Sequence, residues 1–192
     1  MTSPETLLAR VREAVTTGAP PPAAPADARP ASVLLLLDPA LEGMPLLFTL
    51  RSPHLRQHAG QIAFPGGSAE LGDDDAVTTA LREAEEEVGL DPANVEVIGI
   101  LPPMSTKVSD VWLTPVVGLQ RQAFDIITDP VEVAEWFHVD LALLLVAPHS
   151  VRVLERDGVR HDVHFYDAGG RVIWGVTAAI LHEFLARLGR SD

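Results

Sequence analysis

The stretch "FPGGSAELGDDDAVTTALREAEEEVGL", residues 64–90, combines a glycine pair, an aspartate run and a strongly acidic segment. Its spacing predicts a helix over residues 75–88, because apolar side chains recur there at the interval of one helical face. Gly89 predicts the end of that helix, since glycine readily adopts the left-handed conformation of a C-terminal cap. The glycine pair predicts a close approach of the backbone to a ligand, because glycine has no Cβ.

Glu83, Glu86 and Glu87 are spaced i, i+3 and i+4, so they share one face of this helix. Like charges at that spacing cost about 0.2–0.5 kcal/mol per pair, and acidic groups near a helix C-terminus are disfavoured by about 0.3–1 kcal/mol each. A divalent cation would reverse these penalties, because carboxylate oxygens are natural ligands of Mg²⁺ and Mn²⁺. The alternative is a solvated acidic surface, since glutamate is a good helix former. Arg82 directly precedes the three glutamates and could tie the loop to the helix.

Composition limits the classes of function. The chain has 192 residues, of which 47% are hydrophobic, which is enough for one domain with a substantial core. Its net charge of −13 argues against general nucleic-acid binding and against docking on anionic lipid. It has no cysteine, so disulfides and thiolate zinc sites are excluded. The short apolar runs and the lack of a signal-peptide pattern lead us to expect a cytoplasmic protein that does not bind membranes.

The remaining pattern predicts a mixed sheet between helices, an α/β (α+β) fold. Residues 1–31 should form a short helix, over residues 5–15, and a proline- and alanine-rich linker, with the folded domain at residues 32–192. A C-terminal helix is predicted over residues 175–188. Strands are predicted at residues 32–37, 45–51, 61–64, 94–101, 111–119 and 131–138, one helical turn at 141–145, and a hairpin from 151–155 and 161–166.

Gly67 and the segment "REAEEEVGL", residues 82–90, resemble the Nudix box. In that family the box forms a loop, helix and loop that bind a divalent metal, within an α-β-α sandwich containing a mixed sheet. The family hydrolyses nucleoside diphosphates linked to another moiety. This chain departs from the common box at Asp73, where the usual residue is glutamate, and Asp73 stands nine positions before Arg82 instead of eight.

The segment "LFTLRSPHLRQHAGQIAFPGG", residues 47–67, resembles the signature of the coenzyme A pyrophosphatase subgroup. An aspartate with one additional residue in the box is also what that subgroup leads us to expect. The resemblance covers roughly residues 32–188. The matching positions in the signature are Thr49, Arg51, Ser52, Arg56, Gly60 and residues 64–67.

The resemblance implies roles for individual residues. The metal ligands would be Glu83, Glu86, Glu87 and the carbonyl group of Gly67. The catalytic residues would be these three glutamates together with Arg82. The substrate-binding residues would be Arg51, Arg56, Gly66, Gly67 and Lys107. The general base stays open between a box glutamate and a water that the glutamates orient, with Glu132 and Glu135 as weaker candidates outside the box.

The leading hypothesis is Mg²⁺- or Mn²⁺-dependent hydrolysis of coenzyme A and its derivatives to 3′,5′-ADP and 4′-phosphopantetheine or its acyl form. A second hypothesis keeps the chemistry and changes the substrate to ADP-ribose, NADH or another nucleoside diphosphate derivative. A third is a catalytically silent domain that binds a nucleotide. In each case the partner is a small molecule, and a homodimer formed through the N-terminal segment is a further expectation.

Overall fold

The computed structural model describes residues 4–16, 24–106, 110–156 and 158–190. The helices are Pro4–Thr16 (α1), Ala76–Val88 (α2), Leu141–Leu144 (α3) and Gly175–Arg187 (α4), with a 3₁₀ turn at Pro92–Asn94. The strands are Arg29–Leu37 (β1), Pro45–Arg51 (β2), Ile62–Ala63 (β3), Gly66–Ser68 (β4), Val95–Ile100 (β5), Met104–Thr106 (β6), Val111–Gln120 (β7), Val133–Asp140 (β8), His149–Arg156 (β9), Val159–Asp167 (β10) and Val172–Trp174 (β11).

The main sheet is mixed, because β1 runs parallel to β7 while its other pairings are antiparallel. The run "LLLL" at residues 34–37 lies in β1 at its centre. Leu35 and Leu37 point into one hydrophobic cluster, whereas Leu34 and Leu36 point into the other. Successive side chains of a strand face opposite sides, so an uninterrupted apolar run fits a strand covered on both faces.

Helices cover both faces of this sheet, which confirms the predicted α-β-α sandwich. Ala80, Ala84 and Val88 of α2 pack on the cluster that contains Leu34 and Leu36. The opposite cluster contains residues of α1 and α4, together with Tyr166 of β10. Strands β9, β10 and β11 form a separate antiparallel sheet. No helix among the described residues is both long enough and apolar enough to cross a bilayer.

One edge of β1 pairs with two different strands. Near its end, Leu37 pairs with Leu46 of β2, and near its start residues 31–33 pair with β4. The sequence predicted one strand over residues 61–64, before the glycine pair; in the structure Gly66 and Gly67 form a further strand with Ser68. Gly66 has φ of +152°, and a Cβ there would lie 2.3 Å from the carbonyl oxygen of Ser32. Only glycine therefore fits this pairing without a backbone shift.

The N-terminal helix is part of the core, although the folded region was expected to begin near Ser32. Leu7, Val11 and Val15 of α1 are buried in the same cluster as α4. Strand β1 begins at Arg29, so the end of the predicted linker is already in the sheet. Residues 17–23 of that linker lie outside the described residues.

Replacing Val11 by aspartate should destabilise the fold by about 3 kcal/mol or more, because an unpaired charge would be buried at a position with 0% exposure. Urea denaturation followed by circular dichroism measures the change in the free energy of unfolding. Ala9→Asp is the matched control, since Ala9 lies on the exposed side of the same helix. Equal stability of the two variants would contradict the packing of α1 in the core.

Candidate active site

The caps of α2 fix where its glutamates stand. Asp75 precedes the helix, and its side chain accepts a hydrogen bond of 2.8 Å from the backbone N–H of Thr78. Gly89 ends the helix in the left-handed conformation, with φ of +70°. With the apolar side of α2 packed on the sheet, the side that carries the glutamates lies along β4.

Glu87 is buried, with only 2% of its surface exposed. One carboxylate oxygen accepts a hydrogen bond of 3.1 Å from the backbone N–H of Gly66, and the other lies 3.4 Å from Nη1 of Arg51. Burial raises the pKa of Glu87 to about 7, although the Gly66 N–H and the Arg51 charge oppose that shift. The helical spacing predicted that Glu87 shares one face with Glu83 and Glu86, and the contact with β4 encloses it.

Glu83 packs against the second glycine of β4. A Cβ on Gly67 would lie 2.5 Å from Oε2 of Glu83, so the absence of a side chain there makes room for the carboxylate. The side chain of Glu83 is 13% exposed. Its burial raises the pKa of the carboxyl group above the usual value, against the lowering effect of Arg82.

Arg82 joins the loop to the helix. Its guanidinium donates two hydrogen bonds, of 3.2 and 3.0 Å, to the carboxylate of Asp73 and one of 2.9 Å to the carbonyl oxygen of Ser68. It also forms ion pairs with Glu83 at 3.0 Å and with Glu86 at 3.2 Å. The Arg82 guanidinium lowers the pKa of Asp73 to about 2. Asp73, the departure from the common box, is thus the residue that anchors Arg82.

The three box glutamates are not equivalent. The side chain of Glu86 is 60% exposed, unlike those of Glu83 and Glu87. The only group of three potential ligand atoms within 4.8 Å of one another in the described part of the chain lies elsewhere, so the three carboxylates do not converge that closely. Glu83 and Glu87 form the inner part of the site, and Glu86 forms its rim.

Arg51 is the predicted substrate-binding residue that the structure brings to this site. It stands at the end of β2, and its Nε is buried without a hydrogen-bond partner among the described residues. Arg56 lies in the following loop with an exposed side chain. Lys107, the other basic residue predicted to bind substrate, lies outside the described residues.

Glu132 also belongs to the site, which the sequence indicated only weakly. Its negative charge raises the pKa values of both Glu83 and Glu87. Its backbone carbonyl accepts a 2.8 Å hydrogen bond from the N–H of Ser52, which holds it beside the end of β2. Glu135, in contrast, pairs with Arg171 at 2.6 Å. The antiparallel pairing of β2 with β8 explains this placement, because Arg51 pairs with Val133.

The donor set fits a hard divalent cation. Two carboxylates with raised pKa values face the same strand, and a third carboxylate, Glu132, adds negative charge. Mg²⁺ is commonly held by one or two protein carboxylates and several waters, so loose convergence of the three box glutamates is compatible with such an ion. A cation placed there would offset the cost of burying negative charge.

Comparisons with known proteins show which family this chain resembles. A family model described as the NUDIX domain matches residues 27–157. A protein of Photorhabdus laumondii, described as "Uncharacterized Nudix hydrolase NudL", is 45% identical over 140 residues, which are 72% of this chain and 74% of the relative. The protein of the same description from Pectobacterium atrosepticum is 43% identical over 145 residues, 74% of each chain.

Among solved structures, the MutT protein from Methanosarcina mazei Go1 has the same fold. The TM-score is 0.52, the sequence identity is 18%, and the match covers 85% of this chain and 94% of the other. The family match spans α2, β4 and the main sheet, which together build the site described above. The chain therefore belongs to the Nudix hydrolase family.

Proposed function

We propose that this protein hydrolyses the pyrophosphate bond of coenzyme A and its derivatives. The observation that carries the proposal is the contact between Arg51 and Glu87. Arg51 belongs to the segment that resembles the coenzyme A pyrophosphatase signature, and Glu87 belongs to the Nudix box. The fold thus joins the segment associated with that substrate to the carboxylates associated with the chemistry.

Glu83, Glu86, Glu87 and the Gly67 carbonyl are the proposed ligands of Mg²⁺ or Mn²⁺. When bound, such an ion supplies charge neutralisation for the phosphoryl oxygens and acidification of the attacking water. Glu83 and Glu87 hold their positions through β4, and Arg82 holds Glu83 and Glu86 from the other side. The chain's own contribution is therefore a fixed set of oxygens that pack against a glycine strand.

Arg51 and Arg56 are the proposed phosphate-binding residues. Arginine presents a planar fork of donors that matches phosphate oxygens, and the side chain of Arg51 is 23% exposed beside Glu87. Arg56 is on the exposed loop between β2 and β3, where it can meet a substrate as it enters. Gly66 and Gly67 contribute indirectly, because their missing side chains let β4 pair with β1 and leave room for Glu83.

Glu132 is our candidate for the residue that takes the proton from the attacking water. It lies outside the box and close enough to Glu83 and Glu87 to alter the pKa values of both. A base at this place can act on a water held between the box and the substrate. The hydrolysis adds that water across the P–O–P bridge and yields 3′,5′-ADP and 4′-phosphopantetheine.

ADP-ribose, NADH and other nucleoside diphosphate derivatives are the alternative substrates, because the box sets the chemistry and the loops set the substrate. A panel of these compounds with coenzyme A, each with and without Mg²⁺ or Mn²⁺, distinguishes them. We expect the highest kcat/KM for coenzyme A, with 3′,5′-ADP detected by chromatography only when metal is present. A higher kcat/KM for ADP-ribose or NADH would favour the alternative, and no turnover of any compound would favour a silent nucleotide-binding domain.

Glu87→Gln should lower kcat at least 100-fold, because it removes a charged oxygen from the proposed metal site. The free energy of unfolding at pH 8 without metal should not fall, because Glu87 is ionised at that pH and its raised pKa means that the buried carboxylate costs stability. Glu85→Gln is the matched control, because Glu85 is an exposed residue of the same helix. A Glu87→Gln enzyme that turned over like the Glu85→Gln control would place the chemistry elsewhere.

Asp73→Asn should reduce activity about 10- to 100-fold, the effect typical of losing a residue that orients metal ligands. The neutral amide holds Arg82 less firmly, and Arg82 positions Glu83 and Glu86. Steady-state kinetics over a range of Mg²⁺ concentrations should show a higher metal requirement. Asp74→Asn, an exposed change in the same loop, should leave that requirement unaltered; a similar shift in both variants would refute the orienting role of Asp73.

A further inference from the structure

Three histidines from three elements meet on the side of the main sheet opposite α2. His149 is in β9, His164 in β10 and His182 in α4. One ring nitrogen from each lies within 4.8 Å of the other two, and all three residues are half-buried. Neither the Nudix box nor the segment containing Arg51 contributes to this group.

The backbone brings these rings together through strand pairing and helix packing. In the antiparallel pairing of β9 and β10, His149 is opposite Tyr166 and His164 is opposite Val151. His149, His164 and Tyr166 therefore face the same side of that sheet. His182 on α4 packs over this side, with ring centroids 5.1 Å from His149 and 4.3 Å from His164.

We propose that His149, His164 and His182 form a binding site for Zn²⁺ or a similar transition-metal ion. Imidazole nitrogens suit Zn²⁺, Cu²⁺ and Ni²⁺, whereas Mg²⁺ prefers oxygen. A tetrahedral zinc ion with Zn–N bonds of about 2.0–2.1 Å places its nitrogen ligands roughly 3.3 Å apart. Nε2 of His149 and Nδ1 of His164 already lie 2.9 Å apart. The three rings stack at interplanar angles of 11–30°, so binding requires side-chain rotations that turn one nitrogen of each ring toward the ion, with water as the fourth ligand.

Tyr166 supplies the kind of contact that orients a metal-binding histidine. Its side chain is fully buried, and its hydroxyl lies 3.1 Å from Nδ1 of His182. Coordination through Nε2 of His182 keeps this contact, and a hydrogen bond at the second ring nitrogen is typical of ligating histidines. The site would link the sheet of β9–β11 to α4, so a bound ion should make the strands more resistant to local opening.

The histidine site and the box carboxylates can be tested separately, because nitrogen ligands suit Zn²⁺ and oxygen ligands suit Mg²⁺. Zinc titration of the full chain, stripped of metal by a chelator and then held in excess Mg²⁺, should show one equivalent of Zn²⁺ bound per chain. The same equivalent should remain in the Glu83→Gln/Glu87→Gln double variant. His164→Gln and His182→Gln should each weaken zinc binding at least tenfold. Isothermal titration calorimetry provides the affinities.

His161→Gln is the matched control, because His161 lies in the same strand with its side chain on the opposite face. Zinc affinity in this variant should equal that of the unaltered chain. Zn²⁺ should also raise the melting temperature of the unaltered chain and of the glutamate double variant, but not that of His164→Gln.

A measurement on the unaltered chain avoids any effect of substitution on folding. Imidazole nitrogen resonances recorded by NMR should shift for His149, His164 and His182 on addition of Zn²⁺, while His161 should be unaffected. The proposal is overturned if Zn²⁺ leaves the three resonances unchanged. It is also overturned if zinc binding disappears in the glutamate double variant and persists in His164→Gln, since the ion would then occupy the box.

Discussion

The active-site geometry depends on the hydrogen bonds and ion pairs of the Arg82 guanidinium. It contacts the end of β4 through the Ser68 carbonyl, the following loop through Asp73, and the helix through Glu83 and Glu86. Planar donors at fixed angles constrain several acceptors at once. The loop between β4 and α2 thereby has one defined conformation, although it contains no regular secondary structure. That conformation fixes the positions of the neighbouring carboxylates.

Groups of the protein itself neutralise part of the negative charge of the glutamates on α2. Arg82 balances Glu83 and Glu86, and Arg51 together with the Gly66 N–H balances Glu87. The pKa values of Glu83 and Glu87 are nevertheless raised. Protein groups therefore offset only part of the cost of burial, and a cation among these oxygens would offset more of it. The acidic pattern in the sequence and the buried carboxylates in the fold point to the same chemistry.

Much of the architecture could be predicted from the sequence because its signals are local. Helix α2 shows its period and its stop at Gly89, and the leucine run of β1 fits a strand covered on both faces. Strand β4 could not be predicted in this way. Its glycines have no side-chain pattern, and only the pairing with residues 31–33 makes them a strand. For α1, periodicity predicted the helix but not the surface on which it packs.

The residues of the candidate site likewise fall into those that are close in sequence and those that only strand pairing brings together. The box glutamates and Arg82 form one short segment, so their proximity follows from helical spacing. Glu132 reaches them only through the pairing of β8 with β2, whose paired residues are 82 to 95 positions apart in the sequence. The three histidines are likewise separated in sequence and meet only when β9, β10 and α4 are assembled. Single-sequence patterns carry little information about such pairings.

The packing of α1 has a consequence for the order of events during synthesis. Arg10 donates a hydrogen bond to the carbonyl oxygen of Leu188, and Arg187 donates one of 3.2 Å to the carbonyl oxygen of Ala14. Helix α1 thus has partners that are translated more than 170 positions after it. Until those residues emerge, the apolar side of α1 lacks part of its covering, so nascent chains expose a hydrophobic surface that chaperones can recognise.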